Sequence, residues 1–258
     1  MDIREYYAVR AKESVNASIA ALIPVFLLIF PSLLFFSDGK IVLLSIPFFV
    51  CSFYFYQLSL VHMRHKIQCA DVKKKDFKGI LPGNGQFLLA FLPSPSLKAH
   101  FFHPEGYPVG KIEDFQKYKI RWFLPYFLDK LIFRKYGLYD ENGNLLYIFH
   151  RGLRQTVIAD VNGRAVAAVV RTAKNHWYFP QLNKKFYAKK ELTFTDIKIL
   201  NGNGEVLGRI RKGWMPLSWG RYFKNPNTPV LTVHRQLPDK ERLVFMAIFI
   251  DLFRYTDH

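Results

Sequence analysis

Cysteine is nearly absent from this chain: of 258 residues only Cys51 and Cys69 carry a thiol. Two thiols build no disulfide framework, so the fold does not rest on crosslinks and a reducing compartment suits it. Neither has a neighbour that marks it as a nucleophile. Other catalytic signatures are missing too. No serine stands in a G-x-S-x-G turn, since Ser218 in "PLSWG" lacks that frame. The "GNG" triplets at Gly83 and Gly202 lack the Lys and the helix of a phosphate loop. His62 with His65 ("HMRH") and His100 with His103 ("HFFH") are spaced to share a metal, yet neither pair has a Cys, Asp or Glu completing a site. The residues thus point away from an enzyme, a metal site or a bound cofactor.

Charge is missing from two long stretches. From Ala17 to Phe36, "ASIAALIPVFLLIFPSLLFF" runs twenty residues uncharged; after "SDGK" a second uncharged run extends from Ile41 to Val61. At ~1.5 Å rise per residue, each run is long enough for a helix to cross ~30 Å of hydrocarbon. The short connection forces an antiparallel hairpin, and no small-x-small cleavage site follows the first run, as a signal peptide requires. Pro24, Pro31 and Pro47 are expected to kink these helices, not end them. Arg4, Arg10 and Lys12 precede the first run, and Arg64, Lys66, Lys73, Lys74, Lys75 and Lys78 follow the second, against Lys40 alone between them. That asymmetry predicts a multi-pass protein of the cell membrane with both termini cytoplasmic.

Beyond the second run the period changes. Four segments read as an alternating strand, a turn closing on Gly, and a second alternating strand: Leu97 to Asp114, Tyr136 to Gly152, Thr156 to Thr172 and Asp196 to Gly213. Gly106, Gly143, Gly163 and Gly204 supply the positive φ that such turns need, and Asp140, Asn142, Asp160, Asn162 and Asn203 bond to nearby backbone or tolerate left-handed geometry. "DENGN" offers oxygen donors, but a calcium loop needs about six ligands and a distal Glu, so a hairpin turn is the expectation. Gln86 to Leu92, Trp177 to Phe179, Lys185 to Tyr187 and Val230 to His234 read as further strands. About twelve strands suffice to close a barrel, and a barrel that wide needs a plug. "KERLVFMAIFIDLFRY" near the end of the chain is apolar on all sides from Leu243 to Phe253, too short for a span and suited to burial. Leu243, Phe245, Met246, Ala247, Phe249 and Ile250 are its expected core residues. Asp251 is the one acid set into that run, and bonding at the helix end or a meeting with Arg254 is expected.

The recurring "YDENGNLLYIF" and "ILNGNGEVLGRI" hairpins, with "LVFMAIFIDLFRY" ending in Ile-Asp followed by aromatics, resemble the tubby C-terminal, LURP-one-related and phospholipid scramblase superfamily. The likeness covers residues from roughly 80 to 258 and looks nearest to bacterial membrane-anchored tubby-like proteins. It implies a closed barrel of twelve strands around a C-terminal hydrophobic helix. The acidic calcium-binding segment and palmitoylated cysteine cluster of scramblase-type members are missing, which puts calcium-dependent scrambling in doubt. No phosphoinositide-binding residue of tubby proteins can be carried over. The expected organisation is a tail at 1–16, a transmembrane hairpin at 17–63, a basic linker at 64–79 and a mainly-β barrel domain at 80–258 with its central helix at 240–254.

The formal net charge is +17, and all of it lies after residue 63. Headgroup candidates are Lys73, Lys74, Lys75 and Lys78 in "KKKDFK", Lys184 and Lys185 in "NKKFYAKK", and Arg209, Arg211 and Lys212 in "GRIRKG". The first cluster reads equally as a topology signal in a solvated linker. Basic residues alternate with aromatics, but no nucleic-acid motif occurs, so nucleic acid is not an expected partner. Tyr118 to Gly137 reads as an apolar stripe with basic residues, suited to a headgroup surface or to covering a barrel end. "KGWMPLSWGRYF" reads as an aromatic loop, across a barrel mouth or at a membrane interface. The expected function is non-enzymatic binding of anionic phospholipid or a membrane protein partner at the cytoplasmic face. Alternatives are an accessory or immunity-type factor beside an exported toxin or transporter, and a lipid scramblase.

Overall fold

The computed structural model describes residues 1–35, 40–70, 72, 85–94, 96–115, 134–191, 196–213, 215–233 and 237–253. The chain divides into two compact units, residues 1–71 and 72–258.

The first unit is a pair of helices, α1 (Ile3–Phe35) and α2 (Lys40–Gln68). Both extend past the uncharged runs. The tail expected at 1–16 is helical from Ile3, because residues 3–16 contain neither Gly nor Pro to stop a helix. Asp2 and Glu5 start it with a capping box. The Glu5 backbone N–H donates to Asp2 Oδ1 at 2.8 Å, and the Asp2 N–H donates to Glu5 Oε2 at 3.0 Å. At the other end α2 absorbs the first residues of the expected linker, and Arg4 Nη2 of α1 donates to the Cys69 carbonyl at 2.8 Å. Pro24, Pro31 and Pro47 lie inside the helices, which run on past them.

The helices meet along one seam. Tyr7, Ala11, Ser14, Ser18 and Val25 are buried on α1 at alternating four- and three-residue steps and their sum; Ser45, Ser52 and Ser59 are buried on α2 at a strict spacing of seven. Such a heptad stripe of small residues lets two backbones approach closely. Ser18 Oγ donates to the Ser52 carbonyl at 2.9 Å across it. Away from the seam the surface is apolar and open: Phe26 is 70% and Phe53 is 63% exposed. A soluble helix pair would hide such side chains. Residues Ile3–Leu28 and Leu43–Gln68 are long and apolar enough to cross a membrane.

The second unit is a closed antiparallel barrel of twelve strands. In order these are β1 (Gly85–Phe91), β2 (Lys98–Phe102), β3 (Pro108–Asp114), β4 (Arg134–Asp140), β5 (Leu145–Arg151) and β6 (Gln155–Asp160). There follow β7 (Ala165–Ala173), β8 (His176–Phe179), β9 (Lys184–Glu191), β10 (Asp196–Asn201), β11 (Val206–Arg211) and β12 (Val230–Val233). Each strand pairs with its neighbours in sequence, and β12 closes on β1 with Leu231 opposite Phe87. No edge is left unpaired.

The four expected hairpins share one turn. Gly106, Gly143, Gly163 and Gly204 have φ between 79° and 87°, and each donates its N–H to the carbonyl three residues back. A register shift follows in the adjoining strand pair each time. This is a type I turn closed by a glycine bulge. The preceding side chain ties it down: Asp140 Oδ1 accepts the Asn144 N–H at 2.7 Å, Asp160 Oδ1 the Arg164 N–H at 2.8 Å, and Asn201 Oδ1 the Glu205 N–H at 2.9 Å. The "DENGN" segment is thus a hairpin turn, with its first acid engaged by its own backbone.

Strand alternation fixes two ends. The turns after β2, β4, β6, β8 and β10 lie at one end, the turn end; the connections after β1, β3, β5, β7, β9 and β11 lie at the other, the far end. Since β12 runs toward the turn end, the helix that follows it, α3 (Asp239–Phe253), enters there and passes through the barrel. Every residue from Leu243 to Ile250 is buried, packed among inward residues such as Phe87, Phe101, Tyr136, Phe149 and Phe179. Phe249 meets Phe101 at 5.6 Å and Phe253 at 4.8 Å between ring centroids. Each large apolar side chain buried this way contributes about 1.5–3 kcal/mol. One strand yields by losing its side chain: a Cβ on Gly208 would stand 2.7 Å from Phe245 Cζ and 3.0 Å from the Thr232 carbonyl oxygen.

Ala247→Asp places a carboxylate at the barrel centre, and the barrel unit should lose its cooperative unfolding transition and its protease resistance. Gly208→Ala should cost about 1–3 kcal/mol through overpacking against Phe245, measured by chemical denaturation of the full chain in detergent. Retention of the wild-type transition by Ala247→Asp would mean that α3 is not the core.

Candidate functional site

Two sets of charged residues stand out on the barrel, one inside its far end and one on its outer wall. The inner set surrounds Asp251. Arg151, which ends β5, donates from Nε at 3.0 Å and Nη2 at 2.6 Å to Asp251 Oδ1, and the Trp177 indole N–H donates to Oδ2 at 3.1 Å. Arg171 Nη1 lies 3.7 Å from Oδ2. Asp251 is therefore held by the wall; the expected partner Arg254 lies outside the described residues. Arg151 also donates from Nη1 to the Gly152 carbonyl, and buried Arg134 donates from Nη1 to the Tyr136 hydroxyl at 3.2 Å. At the turn end Glu241, one turn into α3, accepts from Lys184 Nζ at 2.5 Å. The helix is thus pinned at both ends by carboxylates that meet cations of the wall. This arrangement is structural: it fixes the depth and rotation of the plug.

The outer set lies on β9, β10 and β11. Pairing sets Lys189 opposite Lys198 and Lys198 opposite Arg209, with Glu191, Asp196 and Arg211 in the adjacent row. These side chains share the outward face, because Phe186, Ala188, Ile199 and Ile210 take the inward positions. With Lys185 the face carries five cations and two carboxylates. Both carboxylates are engaged: the single Arg209 Nε–H is shared between Asp196 Oδ1 and Oδ2 at 2.9 and 2.8 Å, Nη2 also donates to Oδ2, and Glu191 accepts from Lys198 Nζ at 2.5 Å. The bond to Asp196 raises the Arg209 pKa against the opposing effect of burial.

The nine headgroup candidates from the sequence therefore divide. Lys73, Lys74, Lys75 and Lys78 lie outside the described residues. Lys184 is bonded to Glu241 and Arg209 to Asp196, which leaves Lys185, Arg211 and Lys212 as the more available cations. Arg211 Nε is buried without a hydrogen-bond partner, and Lys185 and Lys212 are exposed. Lys198 was not singled out in the sequence, although alternation along β10 would have set it beside Lys189. Trp214 and residues 118–133 of the expected headgroup stripe also fall outside the described residues. In the aromatic loop, Phe223 packs edge-on to Phe102 at 6.0 Å while Leu217 stands 97% exposed.

Among the described residues no three His, Cys, Asp or Glu side chains are grouped to hold a metal. His103 stacks on Tyr107 at 4.4 Å, and its Nδ1 accepts the Glu105 N–H at 3.2 Å. His100 is buried on the outward side of β2, stacked on Phe102, and its Nε2 has no hydrogen-bond partner. Burial, with Lys98 and Lys111 adding repulsion, lowers its pKa to about 3.

No family model matches this chain, and no curated protein matches it. A crystal structure of a protein from Arabidopsis thaliana is similar at 12% identity and a TM-score of 0.27, over 45% of this chain and 83% of that one. A likeness at this level carries no argument about function.

Removing one partner of the buried ion pair strands the other charge. Asp251→Asn should destabilise the barrel by about 3–5 kcal/mol, and Arg151→Met with Asp251→Leu should restore most of it, read by denaturation of the full chain. His100 sets a pH dependence. The unfolded chain takes up a proton near pH 6.5, which the folded state refuses until about 3. Its contribution is therefore fully present above about pH 6.5 and falls by about 1.4 kcal/mol per pH unit toward pH 3. His100→Gln should flatten that slope, and an unchanged slope would assign it to another group.

Proposed function

We propose that this protein is a membrane-anchored, non-enzymatic binding module: a two-helix hairpin tethers a basic, tubby-like barrel to the cytoplasmic face of the cell membrane, where the barrel binds anionic phospholipid headgroups. The observation that carries this reading is the outer wall of β9 to β11, where five cations face outward and the two carboxylates among them are already bonded. A barrel whose interior is filled by α3 has its outer surface left for recognition. Two helices with exposed apolar flanks support a membrane anchor for the chain. Attraction of each cation to an anionic leaflet is on the order of 1 kcal/mol and fades within a Debye length, so several must act together. The basic stretch from Lys73 to Lys78 is a second candidate for the same attraction. Membership of the tubby, LURP-one-related and scramblase superfamily is part of this proposal, supported by the twelve-strand barrel around a C-terminal helix.

The test uses the full chain in nanodiscs of neutral lipid, with free vesicles as the probe. Phosphatidylglycerol vesicles should be captured and phosphatidylcholine vesicles should not, with capture falling as salt rises. Changing Lys185, Lys189 and Arg211 together to Gln, or Lys73, Lys74, Lys75 and Lys78 to Gln, should weaken capture several-fold. Equal capture of neutral vesicles, or none of anionic ones, would end the lipid reading.

A further inference from the structure

The two ends of the barrel differ in charge. The described turns at the turn end, residues 103–107, 140–144, 160–164, 180–183 and 201–205, contain five carboxylates (Glu105, Asp140, Glu141, Asp160 and Glu205) and one cation, Arg164. The described connections at the far end, residues 92–97 without Pro95, 115, 152–154, 174–175 and 212–229 without Trp214, contain no carboxylate. Exposed cations there are Arg154, Lys174, Lys212 and Arg221. The difference has a local cause. Asp140 and Asp160 are needed at the turn end to accept backbone N–H groups, whereas the far-end connections bond in other ways and leave their composition free.

Apolar side chains project among those far-end cations. Leu217 is 97%, Leu153 is 65% and Phe115 is 50% exposed, each at the tip or start of a connection. Leu153 stands beside Arg154, and Leu217 lies in a short helical turn, Leu217–Arg221, that ends in Arg221. Phe223, six residues after Leu217, packs against Phe102 at the turn-end terminus of β2, so the connection later folds back along the outer wall while Leu217, earlier in it, stands exposed. The connection after β5 and the connection after β11 lie six strands apart around a twelve-strand wall, on opposite sides of the rim. Two apolar tips across a rim studded with cations suit a broad flat surface, not a groove. Exposed Val161, Leu182 and Val206 at the turn end are short or less exposed, and two of them adjoin Asp160 and Glu205.

We propose that the far end of the barrel docks on an anionic bilayer, with Leu153 and Leu217 entering the headgroup boundary while Arg154, Lys174, Lys212 and Arg221 meet lipid phosphates. Apolar insertion and electrostatic attraction combine in this mode, and the five carboxylates of the turn-end hairpins disfavour the reverse orientation. The proposal rests on the anionic-lipid reading above and names the part of the barrel that makes the contact. Lys189, Lys198, Arg209 and Arg211 lie on the far-end half of their strands, so the outer cationic wall runs onto this rim.

The test is carried out on the full chain with Cys51 and Cys69 changed to Ser and one cysteine introduced, as Leu153→Cys, Leu217→Cys, Val161→Cys or Val206→Cys. An environment-sensitive fluorophore on that cysteine is read in neutral-lipid nanodiscs while phosphatidylglycerol vesicles containing spin-labelled lipid are added. Emission from positions 153 and 217 should shift to the blue and then be quenched by the spin label, with positions 161 and 206 unchanged. Arg154→Glu with Arg221→Glu should abolish the shift at 153 and 217. Vesicle capture with the response at 161 and 206, or at none of the four positions, overturns docking by this end and leaves anionic-lipid binding standing. Absence of capture overturns both.

Discussion

A wall of twelve strands encloses more space than its own side chains can fill, and this constraint governs the rest of the barrel unit. The helix from Asp239 to Phe253 meets it with a central stretch, Leu243 to Ile250, that is apolar on every side and buried throughout. That in turn dictates the wall. Where α3 comes close, β11 presents Gly208 and no side chain; where it leaves space, Phe87, Phe101, Phe149 and Phe179 close it. An all-round apolar helix has no preferred rotation of its own, so packing alone would hold it loosely in register. The carboxylates at its two ends supply the missing specification. Glu241 meets Lys184 at entry, and Asp251 meets Arg151, Arg171 and Trp177 at exit.

The same division between apolar packing and polar specification recurs in the helix pair. Between its polar ends the described outer surface is mainly apolar and gives no register, while the seam carries Ser14, Ser18, Ser45, Ser52 and Ser59. Lipid provides little drive for helices to associate, so close approach and hydrogen bonds such as Ser18 to Ser52 decide how they meet. The capping box at Asp2 and Glu5 and the bond from Arg4 to the Cys69 carbonyl then hold the polar ends of the two helices together.

Much of this fold was legible in the sequence because its signals are local. Each of the twelve strands stands at a place that alternation and turn residues mark, although β9, expected at Lys185 to Tyr187, runs on to Glu191, and four glycines adopt the positive φ that their turns demand. The capping box was equally local and went unread, so the tail at residues 1–16 was expected outside the helix. What local pattern cannot reach is pairing across the chain. Asp251 finds Arg151 one hundred residues away, because barrel closure and not sequence spacing brings them together. For the same reason the basic clusters did not foretell which cations were available. Lys184 and Lys185 are adjacent, yet alternation sends one to an ion pair with the plug and leaves the other on the outer wall.

That last distinction bears on function. Of the charges on this barrel, those that face inward or sit at turns are engaged in holding the fold: Arg151 and Lys184 with the helix, Asp140 and Asp160 with backbone N–H groups. Carboxylates are concentrated in those structural duties, and the cations outnumber what the structure requires. The excess positive charge must therefore gather where no turn and no plug demands an acid, on the outer wall of β9 to β11 and around the far-end rim. A surface that is basic by this route is free to change without cost to folding, which is the condition under which a binding face can be tuned. It also follows that neutralising Lys185, Lys189 and Lys212 should alter what the barrel adheres to and leave its stability nearly untouched, whereas the same change at Arg151, or at Arg209 beside buried Asp196, acts on the fold first.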